Sequence, residues 1–213
     1  MPILWIILAI MFLPVLLALL FFQVAAFSFT KLGLSPLGAV LLLGLSLWGS
    51  IVNIPISRRR LLLDEENPRP VNNYIFYYPP RVKEQVISIN LGGAVIPILF
   101  SLSLLDKVPL EQTFLAVAIV AIVAKSLAKI VPGVGIRLPA FIPPIVAAIT
   151  ALILAGNAAA PVAYIAGVWG TLIGADLLNI PKFARIGAAV ISIGGAGVFD
   201  GIFLVGLIAA LLA

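Results

Sequence analysis

Residues 160–179 read APVAYIAGVWGTLIGADLLN, an apolar run in which Asp176 is the one charged side chain. A hydrocarbon core about 30 Å thick takes about 20 predominantly apolar helical residues to cross. This stretch has that length and that composition. Outward from it, apolar runs separated by polar or Pro/Gly punctuation recur near 3–27, 35–56, 86–105, 109–131 and 138–155, and a last one ends at Ala213. The expected fold is all-α: a polytopic helical membrane bundle of about seven transmembrane helices, some broken by glycine, forming one transmembrane domain over 1–213.

Composition points the same way. A chain of 213 residues that is 63% hydrophobic and 10% charged cannot hide its apolar surface in one water-soluble core. The net charge of +5 is not gathered into a basic stripe with interleaved aromatics, so no nucleic-acid partner is expected. Cys and His are absent, which removes thiol nucleophiles, imidazole bases and the usual zinc and haem ligands. Neither metal nor cofactor is expected.

Basic residues orient the spans. With the N-terminus in the cytoplasm, the 57–85 and 179–186 loops and the 125–137 connection hold Arg58, Arg59, Arg60, Arg69, Arg81, Lys83, Lys125, Lys129, Arg137, Lys182 and Arg185. Lys31 and Lys107 fall outside. The positive-inside rule thus favours a cell-membrane protein with a cytoplasmic N-terminus and an external C-terminus. Ile3–Phe22 is longer than a signal-peptide core and leads into another span, so it reads as a retained helix rather than one cleaved after Val24-Ala25-Ala26. Lys125, Lys129 and Arg58–Arg60 read as anchors to lipid phosphates.

The 57–85 segment reads as a cytoplasmic loop, with a basic triplet, the acidic triplet Asp64-Glu65-Glu66 and the aromatic run Tyr74-Ile75-Phe76-Tyr77-Tyr78. Its tyrosines suit an interfacial belt, or else a short edge strand that receives an extended peptide. A faint repeat links Val86-Ile87-Ser88-Ile89 and Gly92-Gly93-Ala94 to Val190-Ile191-Ser192-Ile193 and Gly194-Gly195-Ala196. Chance and duplication both account for it in a chain so rich in Val, Ile, Gly and Ala. Two further breaks have a functional and a plain reading. Pro139, Pro143 and Pro144 either start the fifth span or free carbonyls toward a cavity; Asn90 either faces a cavity or packs closely.

Asp176 and Asp200 carry the candidate chemistry. The other six acids lie in loops or at span edges, whereas a carboxylate inside the bilayer costs several kcal/mol and usually faces the bundle interior. Asp176, six residues before Lys182, sits about 9 Å inside the cytoplasmic boundary. Counting back about 20 residues from Ala213 brings the last span into the membrane at Gly194 and sets Asp200 at a matching depth. Two carboxylates at one level suit aspartic proteolysis, with one ionised and its neighbour protonated. Each Asp can instead satisfy local packing, Asp176 through Asn179 or Lys182, or serve ion coupling.

The segments Asn90-Leu91-Gly92-Gly93-Ala94, Leu138–Pro144, Gly174-Ala175-Asp176-Leu177-Leu178-Asn179 and Gly194–Phe203 resemble an uncharacterised prokaryotic family of multi-pass membrane proteins. More remotely, the last three spans resemble the core of the presenilin and signal-peptide-peptidase type of intramembrane aspartyl proteases. That resemblance implies catalytic Asp176 and Asp200, with a substrate site formed by Pro139, Ala140, Gly195, Gly197 and Phe199. The chain departs from the pattern where Asp200 follows Phe199 rather than directly following the second glycine and where Pro139-Ala140 precedes both acids. The expected activity is hydrolysis of membrane-spanning peptides, so the expected partners are membrane lipids and transmembrane peptide substrates. The alternatives are a proton- or sodium-coupled transporter or channel, or a non-catalytic membrane assembly protein.

Overall fold

The structure, a computed structural model, describes residues 2–62, 82–195 and 201–213. Helix α1 (Pro2–Lys31) is one unbroken rod of 30 residues, about 45 Å long. Residues 10–20 are exposed throughout, while Ala25, Ser28, Phe29 and Leu32 are buried. The chain therefore stays helical through Val24-Ala25-Ala26. Helix α2 (Pro36–Gly49) starts where the Ser35 hydroxyl accepts the Gly38 N–H at 3.1 Å and Pro36 fills the first turn.

At Gly49 the chain leaves the helix and enters a sheet. Strand β1 (Asn53–Leu62) pairs antiparallel with β2 (Val82–Asn90), setting Asn53 opposite Asn90, with an irregularity between Pro55 and Ser57. Proline is tolerated there because β1 is an edge strand at a register shift. Beyond β2 a π-turn (Leu91–Val95) leads into α3 (Ile96–Leu102). Helix α4 (Leu110–Leu127), a short hairpin of β3 (Lys129–Val131) and β4 (Gly135–Arg137), helix α5 (Ile142–Ala155) and α6 (Ala159–Thr171) follow. A second π-turn (Leu172–Asp176) and a tight 3-10 stretch (Leu177–Ile186) continue α6. Gly187, at φ 66°, ends that stretch; β5 (Val190–Ile193) and α7 (Gly201–Leu212) complete the chain.

The fold is mostly helical but not all-α. The three-stranded sheet runs β1-β2-β5, and β5 lies parallel to β2 with Val86 opposite Val190, Ile87 opposite Ile191, Ser88 opposite Ser192 and Ile89 opposite Ile193. The two halves of the faint repeat are thus neighbours in register. Each satisfies backbone groups of the other, so the stretch read as the start of the third span is strand rather than helix. Val190–Ile193, just before the expected entry of the last span at Gly194, is strand too. The end of the second predicted span, from Asn53, is strand as well, and the ends of the predicted 57–85 loop, 57–62 and 82–85, belong to the β1–β2 ribbon. Tyr74–Tyr78 lie outside the described residues.

Three helical stretches among the described residues are long and apolar enough to cross a membrane: Ile10–Lys31, Leu110–Leu127 and Ile142–Ala184. Pro36–Gly49 and Leu91–Leu102 are shorter apolar helices. One core gathers the rings of Phe29, Phe100 and Tyr164, with centroids 5.1–6.2 Å apart. A second packs Ala116, Val120, Ala147, Ala151, Val162, Ala163 and Ala209 across α4, α5, α6 and α7. Small side chains let these backbones approach closely, the usual basis of helix association in lipid. Pro143 and Pro144 are buried in the first turn of α5, in line with helix initiation.

Candidate functional site: the Asp176 turn and the glycine junction

The site begins with a failure of regular helix. α6 is tight against α4: a Cβ at Gly170 would meet the Val120 side chain at 2.6 Å, and one at Gly174 would overlap the Ala121 carbonyl oxygen. Gly170 and Gly174 form a G-x-x-x-G face that lets the two backbones touch. Within this contact the winding loosens to the π-turn that holds Gly174 and ends at Asp176, and it then tightens to 3-10. Such transitions leave carbonyls without their normal intrahelical partners and recur at functional sites.

Side chains take up those carbonyls. Asn179, buried, donates to the Ala175 carbonyl at 2.7 Å and lies 3.5 Å from that of Gly174. Lys125, in the last turn of α4, donates to the Leu178 carbonyl at 2.6 Å and to Asn179 Oδ1 at 2.7 Å. Lys125 is therefore engaged with protein, where the sequence suggested a lipid anchor. Asn179 is committed to backbone and Lys125, not to Asp176.

Asp176 turns instead to the other repeat arm. Its Oδ2 accepts the Gly194 N–H at 2.8 Å. Gly194, at φ 84°, is held against Ala94, leaving no room for a Cβ. One layer further, a Cβ on Gly92 would overlap the Ser46 carbonyl and the Ser50 amide of α2. The end of α2, the first π-turn and the end of β5 therefore meet at close backbone approach, and Asp176 closes the junction.

The two arms use the same device. In the first, Asn90 Oδ1 accepts the Gly93 N–H at 2.7 Å, and its Nδ2 donates to the Ser50 carbonyl at 2.7 Å and Asn53 Oδ1 at 3.1 Å. In the second, a side-chain oxygen again accepts a glycine N–H after the strand, but Asp176 supplies it from another helix. Asn90 is fully buried and spent on this junction, so it packs rather than lining a cavity. Beside it, Ser192 Oγ lies 2.5 Å from both Asn53 Oδ1 and the Gly195 carbonyl, donating to one of them at a time.

Of the predicted site residues, Asp176 and Gly195 fall at this junction. Pro139 and Ala140 are exposed in the link between β4 and α5. Asp200, Gly197 and Phe199 lie outside the described residues. The sequence reading assigned no role to Gly170 and Gly174, and it offered Lys125 as a lipid anchor and Asn179 as a partner of Asp176, where the two instead bond each other and the turn. The G-x-x-x-G spacing was the signal available for the first two; nothing in sequence linked Lys125 to a turn more than 50 residues on.

Among the described residues, no group of three or more acidic side chains is placed to hold a metal ion. The sequence matches the family described as "Protein of unknown function (DUF1614)" over residues 47–212, most of the chain, and the protein belongs to that family. No curated protein and no solved structure matches it.

Proposed function

We propose that this DUF1614 member is a seven-span protein of the cell membrane, N-terminus cytoplasmic and C-terminus outside, that acts as an intramembrane aspartyl protease with Asp176 and Asp200 as its dyad. The observation that carries this reading is the bond from Gly194 N–H to the Asp176 carboxylate. It ties the intramembrane acid to the start of the short glycine-rich segment that leads to Asp200. The far side of that segment supports the same reach. Gly206 of α7 lies against Tyr164 and Val168 of α6, and Ala209 shares a core with Ala159 and Val162, an order that suits antiparallel helices. Gly201, next to Asp200 in the chain, then falls level with about residue 171, roughly 8 Å along the axis from Asp176.

The orientation has support at both ends of the bundle. Lys31 Nζ donates to the Leu211 carbonyl at 2.9 Å and Lys107 Nζ to that of Leu32 at 3.4 Å, which brings the two lysines assigned outside to the end where α7 finishes. At the opposite end, Lys125 meets Leu178, Gln85 donates to Phe183 and Ala188, and Gly133 to Ile186.

In the dyad the ionised carboxylate takes a proton from water as the water oxygen attacks the scissile carbonyl carbon. The protonated carboxyl donates to the carbonyl oxygen. Collapse of the tetrahedral intermediate breaks the C–N bond, and the amine leaves with a proton from the dyad. The two groups titrate as a pair. In this reading the substrate backbone approaches Gly195, and the exposed Pro139-Ala140 link docks it. The test is cleavage of single-span peptides by the purified protein in liposomes. Either Asp176→Asn or Asp200→Asn should abolish product, and a hydroxyl-bearing mimic of the tetrahedral intermediate should inhibit. Undiminished cleavage by either variant refutes the dyad.

A second reading rests on the paired arms. Two parallel strands, each followed by glycines and leading toward a helix, resemble the interrupted segments that flank ion and substrate sites in transporters. Proton or sodium flux in the same liposomes, without peptide cleavage, would favour it.

A further inference from the structure

We infer that Lys125 is a positioning residue for Asp176, acting through Asn179 and the carbonyls around the turn; its catalytic meaning rests on the protease reading above. The geometry behind it does not. Asp176 stands between a π-turn and a 3-10 stretch, beside the carbonyls of Gly174, Ala175 and Leu178. Lys125 and Asn179 supply all three with donors.

The lysine comes from α4, the helix whose backbone touches α6 at Gly174. The turn is thus fixed from behind by Lys125 and Asn179 and in front by the Gly194 N–H. Asp176 has a defined position because both fixings hold together. Remove the ammonium and the Asn179 amide loses its orienting donor, Leu178 its partner, and the turn its tie to α4. A carboxylate displaced by about 1 Å from its working position loses on the order of a hundredfold in rate.

Chemistry also dictates what can replace the lysine. Two acceptors, a backbone carbonyl and an amide oxygen, need a cation with several N–H donors on a long stem. Arg provides that; Met matches the stem and provides no donor.

The experiment measures cleavage kinetics of a single-span peptide in liposomes, per folded enzyme, for wild type, Lys125→Met, Lys125→Arg, Asn179→Ala and the Lys125→Met/Asn179→Ala double variant. Hydrogen exchange over residues 174–182 is read on the same samples. Expected are a kcat about tenfold to a hundredfold lower for Lys125→Met with KM within about twofold, recovery to within about threefold in Lys125→Arg, and a double variant no worse than the poorer single. Exchange should rise over 174–182 and not in α5. If Lys125→Met keeps wild-type kcat while wild type cleaves, or exchange over 174–182 is unchanged, the positioning role is overturned and the protease reading stands. If wild type itself cleaves nothing, the protease reading falls and takes the catalytic role with it; raised exchange then still upholds the tie.

Discussion

Replacing Asp176 by Asn and, separately, by Ala separates what its charge does from what its oxygen does. The Gly194 N–H is buried and donates to Asp176 Oδ2 at 2.8 Å. Ala removes the acceptor and strands that donor, a loss of about 1–3 kcal/mol in general. Polar contacts in membrane proteins average nearer 0.6 kcal/mol with a maximum near 1.7, so about 1–1.5 kcal/mol is expected. That is roughly a fivefold to thirteenfold fall in the folded-to-unfolded ratio. Asn keeps an oxygen at the same place, and Asn90 shows within this molecule that an Asn oxygen serves a glycine N–H at 2.7 Å. Asp176→Asn should therefore cost less than about 0.5 kcal/mol and yet abolish cleavage, because an amide cannot take a proton from water. The assay is reversible unfolding in mixed micelles at rising SDS fraction, followed by fluorescence of the three tryptophans. Equal destabilisation by Asn and Ala would refute the acceptor argument, and full activity in Asn would refute the catalytic one.

Other outcomes follow from packing and topology. Gly92→Ala and Gly174→Ala each drive a methyl into backbone atoms of a neighbouring helix and should destabilise by about 1–3 kcal/mol or more. Gly44→Ala, with nothing within 4 Å of the added methyl, should be neutral or stabilise by up to about 1 kcal/mol in the same SDS titration. The chain contains no cysteine, so Ser88→Cys/Ser192→Cys offers a clean pair, and a short bifunctional thiol reagent should join these paired positions in membranes. Failure to join them, with each single site reactive, would contradict the parallel register. Asp106→Cys should react with an impermeant thiol reagent from outside intact cells and Val134→Cys only after the cells are opened; the reverse pattern would invert the proposed orientation.

Much of this protein is legible in its linear order. Membrane-length apolar runs demand helices, because in lipid each backbone polar group needs an internal partner. The single charge in 160–179 marks Asp176 as the residue to follow, and the echo between 86–94 and 190–196 marks two stretches as related. Yet Val-Ile-Ser-Ile is as apolar in a strand as in a helix. Its conformation is decided by whether a second strand lies within bonding distance, and here that strand comes from about a hundred residues away. Asp176 followed the same logic. The sequence offered it Asn179 and Lys182 nearby, but Asn179 was taken by the carbonyls of a loosened turn and by Lys125. Its partner became Gly194, brought there by the glycine junction. Hydrophobic length is a local property and can be read along the chain; the partner of a buried polar group is fixed by whichever donors the packed backbones leave unclaimed, and only the tertiary structure settles that.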